Sequence, residues 1–292
     1  MTASNAYFLI TPARNEEKVI EITIQSVISQ TIKPVQWSIV SDGSTDRTDV
    51  IVKRYAEHYS FIKLFRTDAD QCYNASSKVK AFNYALSRSK SLDYGFIGNL
   101  DADVKFDKDY FEKILGGFAE NPMLGLAGGM VFEEVKGRIK PLWARASINS
   151  VSGAVQLFRK ECFVSIGGYK PISMGGIDTA AEISVRAKGW TVRTFPQVRI
   201  LHLKPMQTGA KSVLRAKFRQ GRSNYQIGYH PLFQLAVSFC HLIDRPYILA
   251  GTALFCGYFL GFILRDKKLL APDIIKFLRR EQLSRLFSMR RG

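Results

Sequence analysis

The chain has 292 residues, 46% of them hydrophobic, enough for one large domain or a domain with an appendage. Lys and Arg number 42 against 25 Asp and Glu, a formal charge of +17, which points to polyanions: nucleotide phosphates, nucleic acid or an acidic membrane surface. Four scattered cysteines (Cys72, Cys162, Cys240, Cys256) with no Cys-x-x-Cys pair argue against a disulfide framework. The start, Met-Thr-Ala-Ser-Asn, carries no basic n-region, so no signal peptide is expected and the first two hundred or so residues read as cytosolic.

Tyr7–Ile10 reads as a first buried strand, running into Thr11-Pro12-Ala13-Arg14-Asn15-Glu16-Glu17. Val19, Ile20, Ile22, Ile24, Val27 and Ile28 then follow a helical rhythm, with Asn15 or Thr11 as candidate cap. Trp37–Val40 predicts a second strand, closed by Ser41-Asp42-Gly43-Ser44-Thr45-Asp46. A helix over Thr48–His58, a strand over Phe61–Phe65 and a helix over Lys78–Ser87 follow. Strand, polar loop and helix repeated in this way predict an α/β fold with parallel strands and ligands at their carboxyl edge.

The next strand, Tyr94–Val104, ends in Asp101-Ala102-Asp103. Period-two alternation sends both carboxylates off one side of the strand end. Hard oxygen ligands on a rigid edge suit magnesium or manganese, and through them phosphate oxygens. By itself Asp-Ala-Asp reads equally well as an exposed turn. Beyond it, Gly pairs separate short elements, a helix over Thr179–Lys188 is followed by strands at Trp190–Phe195 and Val198–Leu201, and no Asp or Glu occurs between Glu182 and Asp244. A one-sign stretch of that length points to an anionic partner.

Leu232–Ile243 is apolar, Asp244-Arg245-Pro246 breaks it, and Tyr247–Leu264 is an uncharged run with three glycines. The tail from Arg265 holds nine basic and three acidic residues. The first run is too short for a ~30 Å crossing, and a single crossing by the second would set the basic tail outside, against the positive-inside bias. A helix pair dipping into or lying on the cytoplasmic leaflet is therefore expected, with a buried soluble helix pair as the alternative.

These loops, in this order, resemble the family 2 glycosyltransferases of GT-A fold. Four stretches carry the resemblance: Thr11–Glu17, Ser41–Asp46, Lys78 with Asn83, and Asn99–Asp103. The resemblance implies a GT-A domain over 1–203, with a nucleotide-sugar half to 104 and an acceptor half from 105. A basic connector over 204–230 and a membrane-associated segment over 231–292 would follow. It implies an inverting transfer from a nucleoside-diphosphate sugar to a lipid-linked or glycan acceptor at the cytoplasmic membrane leaflet, dependent on Mn2+ or Mg2+. Pro12, Ala13, Arg14, Glu16, Asp42, Lys78, Asp101 and Ala102 would bind the donor, Asp42 through a base N–H. Asp103 would hold the metal, with His202 as a third ligand.

The family's Glu-Asp base pair is matched by Ile177-Asp178, which leaves Asp178 as general base, or an N-cap, with Glu182 one turn on as the alternative base. Arg219, Gln220 and Arg222 sit where polymerising relatives carry Gln-x-x-Arg-Trp. The Arg and Trp are not at that spacing, which argues against processive synthesis, while the two arginines remain candidates for the diphosphate or for lipid headgroups. A sugar nucleotidyltransferase would want a Gly-rich loop after the first strand, which is lacking. A non-catalytic membrane scaffold would have lost Asp42, Asp103 or Asp178. A dehydrogenase would want Gly-x-Gly-x-x-Gly, and nucleic-acid binding is not expected because no module for it is recognisable.

Overall fold

The computed structural model describes residues 5–67, 75–135, 137–142, 148–204 and 210–288. Cys72, residues 205–209 of the connector and 289–292 of the tail lie outside the described residues.

Three strand–helix units open the chain: β1 (Tyr7–Ala13), α1 (Ile20–Ile28), β2 (Gln36–Asp42), α2 (Thr48–His58), β3 (Ile62–Thr67), α3 (Ala75–Arg88) and then β4 (Phe96–Leu100). These strands lie parallel in the order β3-β2-β1-β4. The rest of the domain comprises β5 (Val104–Phe106), α4 (Tyr110–Glu120), β6 (Leu124–Val135), β7 (Arg138–Pro141), β8 (Val155–Arg159), α5 (Lys160–Ser165), α6 (Ile177–Ala187) and β9 (Thr191–His202). They extend the sheet as β4-β8-β6-β9-β5, mostly antiparallel, with β7 hanging from β6. The result is a mixed α/β sheet with helices on both faces.

β1 shows why its apolar run is continuous. Tyr7 and Leu9 enter the cluster under α1 and α4 with Trp37 and Phe111, while Phe8 and Ile10 enter the cluster on the opposite face with Phe82 and Phe158. A strand covered on both faces has no polar side to show. Trp37 is wholly buried and still satisfied, its Nε1–H donating to Thr11 Oγ1 at 2.8 Å.

Several boundaries differ from expectation. Asn15 does not cap α1; it stands in the left-handed region (φ 54°) and its Oδ1 accepts from the Thr45 N–H at 2.9 Å. α6 begins at Ile177 with Gly176 before it, so Asp178 lies inside the first turn rather than at the cap. The two short strands expected near residue 195 are one, β9.

The chain ends in helices: α7 (Ala210–Ile227), α8 (Pro231–Cys240), a 3-10 turn over His241–Ile243, α9 (Leu249–Ile263) and α10 (Pro272–Ser288). The basic tail is thus largely helical and returns to the domain. Leu278 of α10 is buried with Ile183 of α6, and Arg186 bridges to Glu281 at 3.1 Å. α7 and α9 touch backbone to backbone: a Cβ added at Gly221 would sit 1.9 Å from the Leu254 carbonyl oxygen, and one at Gly257 2.0 Å from that of Phe218. The opposite side of α9 is uncovered, with Phe255, Phe259 and Phe262 exposed by 39%, 49% and 56%. Among the described residues no helix is long and apolar enough to cross a membrane.

Candidate active site

The parallel register sets the first half of the site. Pairing of Ala13 with Ser41, Asp42 with Thr67 and Ile10 with Asn99 brings the carboxyl ends of β3, β2, β1 and β4 to one edge. Asp42 and Asp101 leave strands two positions apart there, about 10 Å at 4.7–4.9 Å per strand. The loops after β1 and β2 are braced together. Thr48 Oγ1 accepts from the Glu16 N–H at 2.8 Å, Asp46 from the Glu17 N–H at 3.0 Å, and Glu17 from the Arg47 N–H at 3.0 Å.

Asp42 is buried at the foot of this cleft. Its Oδ1 accepts from the Thr67 hydroxyl at 3.1 Å, while Oδ2 is buried and has no partner among the described residues. A buried carboxylate oxygen without a donor is costly, and a ligand N–H is one way to satisfy it. Pro12 and Ala13 are buried in β1 and Ala102 in the core, so their side chains face inward, and any ligand contact from them is by backbone. Arg14 is half-buried beside them. Glu16 pairs with Lys204; burial raises its carboxyl, against the hydrogen bond and charge of Lys204.

Asp101, Ala102 and Asp103 form the link between β4 and β5 rather than a strand end. Thr23 of α1, wholly buried, pins that link: its hydroxyl donates to the carbonyls of Ala102 and Val104 at 2.8 and 2.9 Å and accepts from the Val104 N–H at 3.1 Å. Antiparallel pairing of β5 with β9 sets His202 opposite Val104. One ligand atom from each of Asp101, Asp103 and His202 falls within 4.8 Å of the others. His202 Nδ1–H donates to the Lys204 carbonyl at 2.6 Å, which leaves Nε2 as the lone-pair nitrogen, 3.5 Å from Asp103. A second bond that fixes tautomer and ring orientation is what a metal-ligating histidine has. Burial raises the Asp103 carboxyl, and the neighbouring charge of Asp101 adds to it while His202 and two lysines oppose. This donor set, two carboxylates and one imidazole, fits a hard divalent cation.

A cavity of about 270 Å³ lies next to it, lined by Lys78, Asn99, Asp101, Tyr169, Asp178 and His202 among others. Lys78 meets Asp101 at 3.2 Å. Gly175 and Gly176, both at positive φ (95° and 85°), turn the chain sharply into α6 and bring Asp178 to the cavity. Burial raises the Asp178 carboxyl, opposed by N–H groups of the helix's first turn. Glu182 is held away from the cavity, accepting from the Val151 N–H at 2.6 Å and from the Ser150 hydroxyl, and burial pushes it up to about 8. Of the two carboxylates, Asp178 faces the open space.

The structure does not bring Arg219, Gln220 and Arg222 into this cavity. Gln220 is exposed on α7, Arg219 donates to the Ser173 carbonyl at 3.3 Å, and Arg222 forms a two-pronged pair with Asp266 at 2.6 and 3.0 Å. Thr23, Lys204 and Tyr169 were missed by sequence reasoning. A lone hydroxyl in an apolar helix, a lysine in a basic stretch and a tyrosine after a glycine pair carry no signal of their own.

A nucleotide-sized edge, a two-aspartate–histidine cluster and a carboxylate over one cavity, on a mixed sheet, define a class. The sequence model of "Glycosyl transferase family 2" matches residues 8–173, more than half the chain, and the chain belongs to that family. Curated relatives include the poly-β-1,6-N-acetyl-D-glucosamine synthases of Staphylococcus aureus and Staphylococcus epidermidis, 25% identical over 224 residues. The match covers 71% of this chain but 52% of theirs, so the chain spans about half the length of these relatives. In fold it is similar to the mannosyltransferase PcManGT of Pyrobaculum calidifontis, solved with GDP-Man and Mn2+ (TM-score 0.57, 17% identity, 97% of this chain and 75% of that one). It is also similar to S. aureus TarS 1-349 with UDP-GlcNAc (TM-score 0.57, 16% identity, 94% of this chain and 79% of that one).

Proposed function

We propose that the protein is an inverting, metal-dependent glycosyltransferase that moves a sugar from a nucleoside-diphosphate sugar to a hydroxyl of a lipid-linked or glycan acceptor. The observation that carries this is one cavity shared by Asp101, His202 and Asp178, with Asp42 at the far end of the same edge. The base and ribose lie over the braced loops, with a base N–H on Asp42 Oδ2. Asp101, Asp103 and His202 would hold Mn2+ or Mg2+, which when bound would stabilise charge on the departing diphosphate. Asp178 takes the acceptor's hydroxyl proton as the oxygen bonds to the anomeric carbon and the diphosphate leaves with the old bond's electron pair. A carboxyl raised by burial is suited to that proton.

The test is a donor screen by nucleoside-diphosphate release with the full chain and manganese, beginning with UDP-N-acetylglucosamine because relatives are named for that sugar. Release stimulated by acceptor and abolished by chelator is expected; release unaffected by chelator would sink the metal's role. A second reading, processive polymerisation, draws on the similarity to the poly-N-acetylglucosamine synthases. Against it stands Arg219–Arg222 without the Arg-Trp spacing. Product length from a single-encounter chase, with excess donor and unlabelled acceptor trapping any enzyme that lets go, separates them: one added sugar supports our reading.

We further propose that the enzyme works on the cytoplasmic leaflet, lying on it rather than crossing it. Support comes from the uncovered row Phe255, Phe259 and Phe262 on α9, with Leu232 and Phe239 exposed on α8 and with Arg245 before α9 and Arg265 and Lys267 after it exposed as well. Such a face binds by apolar burial plus attraction to anionic lipid, so salt should loosen it and detergent release it.

A further inference from the structure

A second cavity, about 400 Å³, lies behind the catalytic loop, lined by Ser173, Met174, Phe218, Arg219 and Arg222. Its volume is in the range of small-ligand sites, roughly 300–1,000 Å³. Its chemistry is two-sided. Phe218 and Met174 supply apolar surface, and Arg219 and Arg222 supply guanidinium groups at one wall. Arg222 is neutralised by Asp266 and fixed by it, whereas Arg219 is exposed and, among the described residues, makes one side-chain hydrogen bond, to the Ser173 carbonyl. Arg219 therefore brings net positive charge to the mouth, and guanidinium is the side chain best shaped for phosphate.

The cavity's position says what the anion belongs to. Met174 lines this cavity and its neighbour Gly175 lines the one that holds Asp178, so a single peptide separates them. Ser223 of α7 donates to the Gly175 carbonyl at 2.6 Å, which fixes that partition. On the other side, the Phe218 carbonyl abuts Gly257 of α9, whose far face is the exposed phenylalanine row. A ligand here has its anion near Arg219, an apolar part along Phe218 and Met174, and reach over the loop to Asp178.

We propose that this cavity binds a phosphate ester carrying an apolar chain: the lipid phosphate of the acceptor, held so that its sugar hydroxyl reaches Asp178. This rests on the glycosyltransferase reading above and names its acceptor class. The phosphate stays bound to its lipid; the only bonds exchanged are those already described at the anomeric carbon. The same chemistry has a second source, the headgroup of a bilayer phospholipid, which would make the cavity an anchor instead.

The experiment is calorimetric titration of the full chain with geranyl phosphate, geraniol and inorganic phosphate, then with the variants Arg219→Gln and Met174→Trp. Geranyl phosphate should bind, each half-ligand should bind at least about tenfold more weakly, and either substitution should weaken geranyl phosphate roughly tenfold or more. Equal binding of geraniol, or no effect of Arg219→Gln, would overturn the phosphate site. Equal binding of inorganic phosphate would show that the chain is not read. In a further arm, vesicles of phosphatidylcholine with added phosphatidylglycerol compete against geranyl phosphate. Displacement by phosphatidylglycerol at equal mole fraction would make the cavity an anchor and overturn the acceptor assignment. Donor binding, followed separately by tryptophan fluorescence with UDP-N-acetylglucosamine, tells failure of this site from failure of the transferase reading.

Discussion

Two apolar stretches of the chain behave oppositely. In β1, Tyr7, Phe8, Leu9 and Ile10 are all at 0% exposure, packed on both faces of the sheet. In α9, the 15 residues Leu249–Ile263 bury only the side that meets α7 and α8 and turn phenylalanines outward. Composition is similar; the availability of a partner for each face is not. A strand between two helical layers has its polar business only at its end, so chemistry gathers at the carboxyl edge. A helix that packs through glycines on one side keeps bulky side chains for the other, which is an arrangement for contact with something outside the chain.

That contrast can be broken at either end. The largest effect is expected at the sheet edge: Asp103→Ala removes a ligand and should lower transfer by about a thousandfold, as loss of several kcal/mol of charge stabilisation implies, read as turnover with saturating manganese. Next is Asp178→Asn, expected to cost about a hundredfold or more in turnover with donor affinity unchanged, while Glu182→Gln costs little. If Glu182→Gln is the dead variant, the wrong carboxylate has been named. At the other end, Phe259→Ser with Phe262→Ser should reduce affinity for phosphatidylglycerol vesicles by tens-fold, because a fully buried phenylalanine contributes about 1.5–3 kcal/mol and each ring has roughly half its surface, 49% and 56%, left to bury. The midpoint of unfolding should hardly move, because those rings are already exposed. A large fall in unfolding temperature would mean the face is packed inside the protein after all.

A smaller effect concerns pH. Glu182 is raised by burial from 4.5 to about 8, so the unfolded chain loses this proton first and folding stability declines as pH rises through that window. Glu182→Gln should flatten the decline seen in urea titrations; an unchanged slope would show that Glu182 is ionised in the fold. Smallest, Thr23→Val should cost about 1–3 kcal/mol, because the Val104 N–H loses its buried acceptor.

Much of the nucleotide half was legible because its signals are local. A buried run followed by a polar loop and a periodic helix is readable residue by residue, and α2 falls where expected, Thr48–His58. Asp101, Asp103, His202 and Asp178 could be named from the resemblance, and they do share one region of the fold. What could not be read was pairing across long separations. The acid-free stretch after Glu182 looks like a bare cationic surface in one dimension. In the fold, Arg186 finds Glu281, Lys204 finds Glu16, Lys217 nears Asp244 and Arg222 finds Asp266, so four of its ten basic residues meet carboxylates of this same chain. The partner of Arg222 was out of reach for the same reason: spacing along α7 says nothing about an aspartate forty-four residues later.

α7 is fastened at two points whose joint effect is mechanical. Gly221 is flush with the α9 backbone, leaving no side-chain cushion to compress, and two residues on, Ser223 grips the Gly175 carbonyl. The helix is therefore a rigid rod between the phenylalanine-bearing α9 and the loop that presents Asp178. Whatever surface α9 rests against fixes the altitude of Asp178 above it, so that the length of an acceptor would be measured as a distance from that surface. Inserting a side chain at Gly257 would lift the rod from its bearing and shift that measured length, even with every residue around Asp178 untouched.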